Sequence, residues 1–205
     1  MSPVANPRSA HFDAIADKWD GWDDLVVLRK RLDAGLAGFG LGSGETVLDV
    51  GCGTGNLTLA LTRALGKDGR VVAVDISPRM IETARAKVQD PRVTFHVADA
   101  ERLPLPEASC HRIVCFSVWP HFVERDAVAR ELARVLRPGG QVHVWHLASR
   151  DTINAIHASA GEAVQGDILA PATETAACLT RAGLEVTTVI DDADGYLVTA
   201  RSRPA

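Results

Sequence analysis

Apolar and polar positions along the chain follow two alternating periods. Short runs rich in β-branched residues predict five strands, at 46–50, 70–76, 92–99, 111–118 and 141–147. Between several of these runs, apolar residues recur three and four positions apart, which predicts helices at 56–65, 77–88 and 124–136. Strands separated by helices of this length indicate βαβ units and a parallel sheet. The pattern therefore predicts an open, doubly wound α/β sheet.

The two ends of the chain have a different pattern. The first 44 residues predict one or two helices outside the sheet, as a cap. After residue 148, the expected order is a helix, a loop, a second helix and a hairpin of two strands, at 149–163, 164–174, 173–184, 185–190 and 195–201. We expect one domain with a Rossmann-like, mostly parallel sheet and an antiparallel C-terminal strand. Its parts are a cap at 1–44, a core at 45–147 and a closing segment at 148–205.

A cluster of glycines follows the first predicted strand, in "VLDVGCGTG" at residues 47–55. Gly51, Gly53 and Gly55 leave the backbone bare beside the start of a helix. A nucleotide phosphate, a bulky cofactor of another kind and tight packing without a ligand each explain such a turn. The spacing departs from the GxGxxG dinucleotide fingerprint, and the turn contains no Lys or Arg.

Two carboxylates follow at the ends of the next strands. Asp75 ends the second strand, where its side chain can accept both hydroxyls of a ribose. Asp99 ends the third strand, where it can accept from an exocyclic amino group. Because ligands of open α/β sheets bind at the carboxyl ends of the strands, these groups predict an adenosine site.

Composition narrows the class of protein. The chain has 205 residues, of which 46% are hydrophobic and 23% charged, with a formal net charge of −4. These values suit a globular domain and oppose a nucleic acid as the main partner. No apolar run reaches the roughly 18 residues of a membrane span, and the first 20 residues contain no signal-like apolar region. We expect a cytoplasmic monomer or homodimer, with four reduced cysteines.

The motifs together resemble a known family. "VLDVGCGTG", "VVAVDIS", "VADAERLPLPEAS", "HRIVCFSV" and "ELARVLRPGGQVHV" occur in the order and at the spacings typical of class I S-adenosylmethionine (SAM)-dependent methyltransferases of the small-molecule, type 11-like group. The resemblance covers residues 45–147. "FDAIADKWD" is similar to the N-terminal helix that covers the SAM site in this family.

The resemblance implies roles for particular residues. SAM would be the cofactor, with Asp49, Gly51, Gly53 and Gly55 bordering its methionine part. Asp75 would hold the ribose hydroxyls. The remaining expected contacts are Ile76 and Ala100 at the adenine, Asp99 at its amino group, and Phe116 and Ser117 beside the sulfonium.

Three histidines, His121, His146 and His157, follow strand ends or face the same edge, and His157 lies one helical turn after Asn154. Three hypotheses remain open for them. They are independent polar residues, or some of them with Asn154 bind the acceptor or act as a base, or they bind a transition metal, together with Asp167. Their spacing matches no established metal motif, so we assign no metal ligand. His143 should face the opposite side of its strand.

We therefore expect an enzyme that transfers a methyl group from SAM to a small-molecule acceptor. The alternatives are a non-catalytic SAM-binding regulatory protein, and a metal-assisted methyltransferase that uses the histidines. A nucleic-acid acceptor is disfavoured, because "FSVWP" after the fourth strand is unlike the NPPY type of motif. The segment 161–174 and the tryptophans Trp19 and Trp22 are candidates to close the acceptor pocket.

Overall fold

A seven-stranded sheet lies at the centre of the computed structural model, which describes residues 7–160 and 162–204. The strands are β1 Thr46–Val50, β2 Arg70–Asp75, β3 Val93–Val97, β4 Cys110–Phe116, β5 Leu136–His146, β6 Glu185–Asp191 and β7 Tyr196–Arg201. Their order across the sheet is β3-β2-β1-β4-β5-β7-β6. β1 to β5 are parallel, and β7 runs antiparallel to both β5 and β6. The predicted Rossmann-like architecture is confirmed.

Helices cover both faces of this sheet. They are α1 Pro7–Trp19, α2 Leu25–Ala37, α3 Asn56–Ala64, α4 Pro78–Lys87, α5 Arg125–Val135, α6 Arg150–Ser159, α7 Glu162–Gln165 and α8 Ala172–Arg181, with a short 3₁₀ turn at Trp119–His121. α2, α3 and α4 pack on one face, whereas α5 and α8 pack on the other. The predicted cap is confirmed as α1 and α2, although residues 1–6 lie outside the described residues.

The central strands are apolar at nearly every position because helices cover them on both sides. In β1, Val47 faces α2 and α3, while Leu48 and Val50 face the cluster that contains α5 and α8. The chain leaves β1 toward β2 on one side, and β4 occupies the other side. This reversal of strand order places a crevice at the carboxyl end of β1, where open α/β sheets bind ligands.

Most predicted elements match the structure with ends shifted by no more than three residues, but two differ further. β5 begins at Leu136 rather than 141, because a bulge lets Leu136 pair with Cys110 before the regular ladder resumes at Gln141. The helix predicted over 149–163 is divided, because Ala160 is extended with φ −80° and ψ 172°. α6 therefore ends at Ser159 and α7 starts at Glu162, while Gly161 lies outside the described residues.

Candidate active site

Two adjoining clefts open at the carboxyl ends of β1, β2 and β4. The first spans about 700 Å³, including space open to solvent, and its lining includes seven residues predicted to bind the cofactor: Gly51, Gly53, Asp75, Ile76, Asp99, Ala100 and Ser117. The second spans about 980 Å³ on the same measure and is lined in part by Asp49 and Phe116. Trp19, Gly51, Gly53 and Ser117 border both clefts, so the two spaces meet at the glycine turn.

The three glycines of the turn are needed for different structural reasons. All have positive φ, at +69° for Gly51, +52° for Gly53 and +85° for Gly55. A Cβ at Gly51 would lie 2.2 Å from Val118 Cγ2, and one at Gly55 would lie 3.2 Å from Ala84 Cβ. A Cβ at Gly53 would meet only Trp19 Nε1, at 3.9 Å. Gly53 therefore keeps space open toward the cleft, whereas Gly51 and Gly55 permit packing.

Asp75 is held rigidly at the end of β2, with 8% of its surface exposed. Its Oδ2 accepts from the Gly53 N–H at 2.8 Å, and its Oδ1 accepts from the Ser77 N–H at 2.9 Å. Burial raises the pKa of this carboxyl group, and the backbone donors oppose that rise. Since each carboxylate oxygen can accept more than one hydrogen bond, Asp75 keeps accepting capacity for a ligand in the cleft.

Asp49 lies fully buried beneath the turn. Its Oδ2 accepts from the Thr58 hydroxyl at 2.6 Å, a bond that joins β1 to α3. Burial raises the pKa of Asp49 to about 7, and the nearby Asp75 contributes to the increase. A cationic group in the adjoining cleft would favour the ionised form of this side chain.

The other predicted cofactor contacts lie along the same edge. Asp99 is exposed and accepts from the Glu101 N–H at 3.0 Å, while Ala100 beside it is buried. Ile76 is half-buried. The ring of Phe116 packs 4.9 Å from that of Trp145, and Ser117 turns the chain away from the sheet with φ +53°.

α1 lies across the first cleft and is fixed by its acidic residues. Asp13 accepts from the Ser77 hydroxyl at 2.6 Å and from the Arg79 N–H at 3.0 Å. At the far end of the helix, Asp20 accepts from the Thr54 hydroxyl at 2.6 Å and pairs with Lys87. These bonds attach α1 to α4 and to the glycine turn, so Phe12 and Trp19 form a wall of the cleft.

The three candidate histidines come close together but have different surroundings. His121 lines the first cleft, and its Nδ1 lies 2.6 Å from Asp167 Oδ2. The rings of His121 and His157 are 4.8 Å apart, and His157 Nδ1 donates to the Asp167 carbonyl at 2.7 Å. Burial lowers the pKa of His121. Among the residues that the structure describes, His157 borders neither cleft.

His146 is 1% exposed and packs edge-on against Tyr196, with ring centroids 5.5 Å apart. Neither ring nitrogen has a hydrogen-bond partner within the described part of the chain. Burial lowers the pKa of His146 to about 3, with smaller effects from His121 and His157, so the ring is neutral. His143 faces the other side of β5, where it stacks on Phe39 at 4.0 Å.

Asn154 is engaged with the backbone. Its Nδ2 donates to the Leu169 carbonyl at 3.1 Å, and its Oδ1 accepts from the Leu169 N–H at 2.8 Å. This pair of bonds fastens α6 to the segment that precedes α8. In residues 7–160 and 162–204, no group of three or more His, Cys, Asp and Glu side chains is arranged to hold a metal ion.

Arg31 is a site residue that the sequence pattern did not single out. Its guanidinium donates to the Leu147 carbonyl and lines the second cleft, as do Asp49 and Phe116. The sequence carries no distinctive local signal for this role, because Arg31 is an exposed position of α2, where a charged residue is ordinary. Arg8 is a second such residue, since it pairs with Asp167 across 159 positions of sequence.

Comparisons with known proteins agree with this geometry. Residues 47–140 match the family described as "Methyltransferase domain". The methyltransferase GfsG of Streptomyces halstedii is 33% identical over 154 residues, which are 73% of this chain and 51% of GfsG. The ubiquinone/menaquinone biosynthesis C-methyltransferase UbiE of Hahella chejuensis is 34% identical over 142 residues, 65% of this chain and 56% of UbiE. The chain thus spans about half the length of these relatives.

The fold is shared with solved structures. A SAM-dependent methyltransferase from Aquifex aeolicus aligns with a TM-score of 0.74 and 24% identity, over 92% of this chain and 97% of that protein. None of the helices in the described residues is long and apolar enough to cross a bilayer. With the motif order, the sheet topology and the acidic cleft at the carboxyl edge, these matches show that the chain belongs to the class I S-adenosylmethionine-dependent methyltransferases.

Proposed function

We propose that the protein transfers the methyl group of SAM to a small-molecule acceptor. The observation that carries the proposal is the junction of the two clefts at Gly53, with Asp75 on one side and Arg31 on the other. Asp75 suits the ribose hydroxyls of an adenosine. Arg31, a guanidinium with donors beyond the one used on Leu147, suits the carboxylate at the methionine end. The donor set therefore fits the family's cofactor.

The roles proposed for individual residues follow from their positions. When bound, SAM supplies a methyl group on a cationic sulfur that a nucleophile can displace directly. The chain contributes alignment, because α1, Gly53 and Ser117 confine the space where the clefts meet. His121 can accept the acceptor's proton at Nε2, since its Nδ1 is engaged by Asp167. His146, His157 and Asn154 remain candidates for shaping the acceptor side.

The second cleft supports an acceptor with an apolar body. Its walls include Leu28, Phe116, Leu147, Ile153 and Ile156. The name of one matched relative, a ubiquinone/menaquinone biosynthesis C-methyltransferase, supports a small-molecule class of acceptor. We further propose that the protein is cytoplasmic and is organised as cap, core and closing segment. We also propose that it is a monomer or a homodimer, and size-exclusion chromatography with light scattering would test this oligomeric state. The burial of all four unpaired cysteines is in keeping with a reducing compartment.

Calorimetric titration with S-adenosylhomocysteine (SAH) tests the cofactor site. The wild-type protein should bind SAH, Asp75→Ala should weaken binding by at least about tenfold through loss of charge-assisted hydrogen bonds, and Gly53→Arg should abolish it. Asp151→Ala, at a side chain 89% exposed on α6, is the matched control and should bind normally. Absence of SAH binding to the wild type contradicts the proposal. Release of SAH from SAM with acceptor mixtures then separates an enzyme from a regulatory binding protein.

A further inference from the structure

One carboxylate joins three separate parts of the chain. Asp167, which is 4% exposed, lies between α7 and α8. Arg8 on α1 donates to both of its oxygens, at 2.5 and 2.6 Å. The Oδ2 that accepts from Arg8 Nη1 also contacts His121 Nδ1, at 2.6 Å. The cofactor-covering helix and the candidate base therefore meet at a single oxygen atom.

We propose that Arg8 is a positioning residue that couples closure of α1 over the cofactor cleft to the orientation of His121. The inference rests on the proposed function, because it assigns Arg8 a part in preparing the same site. The carboxylate of Asp167 accepts from Nδ1–H, so it sets the tautomer of His121 and leaves Nε2 able to accept a proton. Arg8 holds that carboxylate from the side of α1.

The shape of the cleft supports the coupling. Arg8, Phe12 and His121 all line the first cleft, and the Phe12 ring contacts the His121 ring edge-on at 5.2 Å. Other anchors of this segment lie toward the end of β2, α4 and the glycine turn, through Ser9, Asp13, Asp17 and Asp20. Arg8 thus extends the docking of α1 to the side of the cleft that carries His121.

The charges around His121 indicate how the contact between Arg8 and Asp167 affects its protonation. The charged and titratable groups facing His121 are Asp167, His157, Arg8 and His146. Asp167 favours the protonated form of His121, whereas Arg8 and His157 oppose it. When Arg8 withdraws with α1, the charge of Asp167 acts on His121 without the opposing charge of Arg8. The pKa of His121 then rises, so a larger fraction of the rings already carries a proton at Nε2 and cannot accept one until the cap closes.

The test is an NMR titration of the His121 ring in wild type, Arg8→Gln, Arg8→Lys and Asp167→Asn. We expect the titration midpoint of His121 to rise in Arg8→Gln, to return toward the wild-type value in Arg8→Lys, and to fall in Asp167→Asn. Asp17→Asn is the matched control, because it removes the Asp17–Arg79 pair from the same helix without touching Asp167. An Arg8→Gln midpoint equal to that of Asp17→Asn overturns the proposal.

A second measurement follows the cap itself. Dissociation of SAH, measured by stopped flow, should be about tenfold faster in Arg8→Gln than in Asp17→Asn, since a charge-assisted pair is lost from the closed state. Equal rates in the two variants also contradict the coupling. If the wild type does not bind SAH, the proposed function fails, yet the His121 titration still reports on the contact between Arg8, Asp167 and His121.

Discussion

At the scale of single residues, the site combines two buried carboxyl groups with two guanidinium groups, those of Arg8 and Arg31. Asp49 and Asp75 lie beside the same turn, and burial together with the charge of Asp75 raises the pKa of Asp49. Arg31 lines the second cleft together with Asp49. A zwitterionic ligand end would satisfy both signs of charge, whereas a pyrophosphate at the turn would be repelled by the ionised forms of both carboxyl groups.

SAH affinity should depend on pH through Asp49. The pKa of its carboxyl group is raised to about 7, so a proton must leave when a ligand ammonium binds beside it. The association constant should therefore rise with pH below 7, by up to about tenfold per unit, and level off above it. Calorimetry between about pH 5.5 and 8 checks this. In Asp49→Asn, which can still accept from Thr58, the association constant should not depend on pH in this range. A pH dependence that persists in this variant would assign the proton to another group.

We expect Arg31 to bind the carboxylate of the cofactor. We expect Arg31→Met to weaken SAH binding by about tenfold or more and to leave binding of 5′-methylthioadenosine, which has no carboxylate, unchanged. The control is Arg29→Met on the same helix, where the side chain is 63% exposed and pairs with Asp33. Equal losses for both ligands would point to a structural role. If SAH binding is unchanged but the acceptor KM rises, Arg31 serves the acceptor instead.

At the scale of elements, the strand–turn–helix from β1 to α3 carries most of the site. Gly51→Ala should destabilise the fold more than Gly66→Ala. Both positions have positive φ, at +69° and +65°, so each alanine costs about 1–2 kcal/mol of strain. Only at Gly51 does the added Cβ meet Val118, at 2.2 Å, and overpacking adds about 1–3 kcal/mol. Urea unfolding measures the free energy of unfolding of both variants. Equal losses of that free energy would show that Val118 moves aside without cost.

Elements with a strong local signal were predictable. Ser77 caps α4 by accepting from the Met80 N–H, and Pro78 starts the helix, as the sequence indicates. Elements shaped by distant contacts were not. The extension of β5 back to Leu136 depends on pairing with Cys110, and the break between α6 and α7 accompanies the anchoring of Leu169 by Asn154. Periodicity in one segment contains no information about such partners.

At the scale of the whole molecule, ligand binding should stabilise one edge of the sheet selectively. SAH should slow amide hydrogen exchange in α1, in residues 51–56 and in residues 75–77, because these line or cover the first cleft. The β6–β7 hairpin at the far end of the sheet should exchange at an unchanged rate. Hydrogen-exchange mass spectrometry checks this. Protection spread evenly over all strands would indicate global stabilisation instead of a local site.

The sequence by itself determined the architecture and the cofactor class. Several features are local or follow a simple order along the chain, so they can be recognised without knowledge of the packing. They are the strand and helix periods, the glycine turn and the spacing of Asp75 and Asp99. Tertiary structure decided which side chains act together. Arg8 meets Asp167 across 159 positions, His121 meets Asp167 across 46, and Arg31 reaches Leu147 across 116. Such contacts depend on how helices dock on the sheet, and no spacing within one segment encodes them.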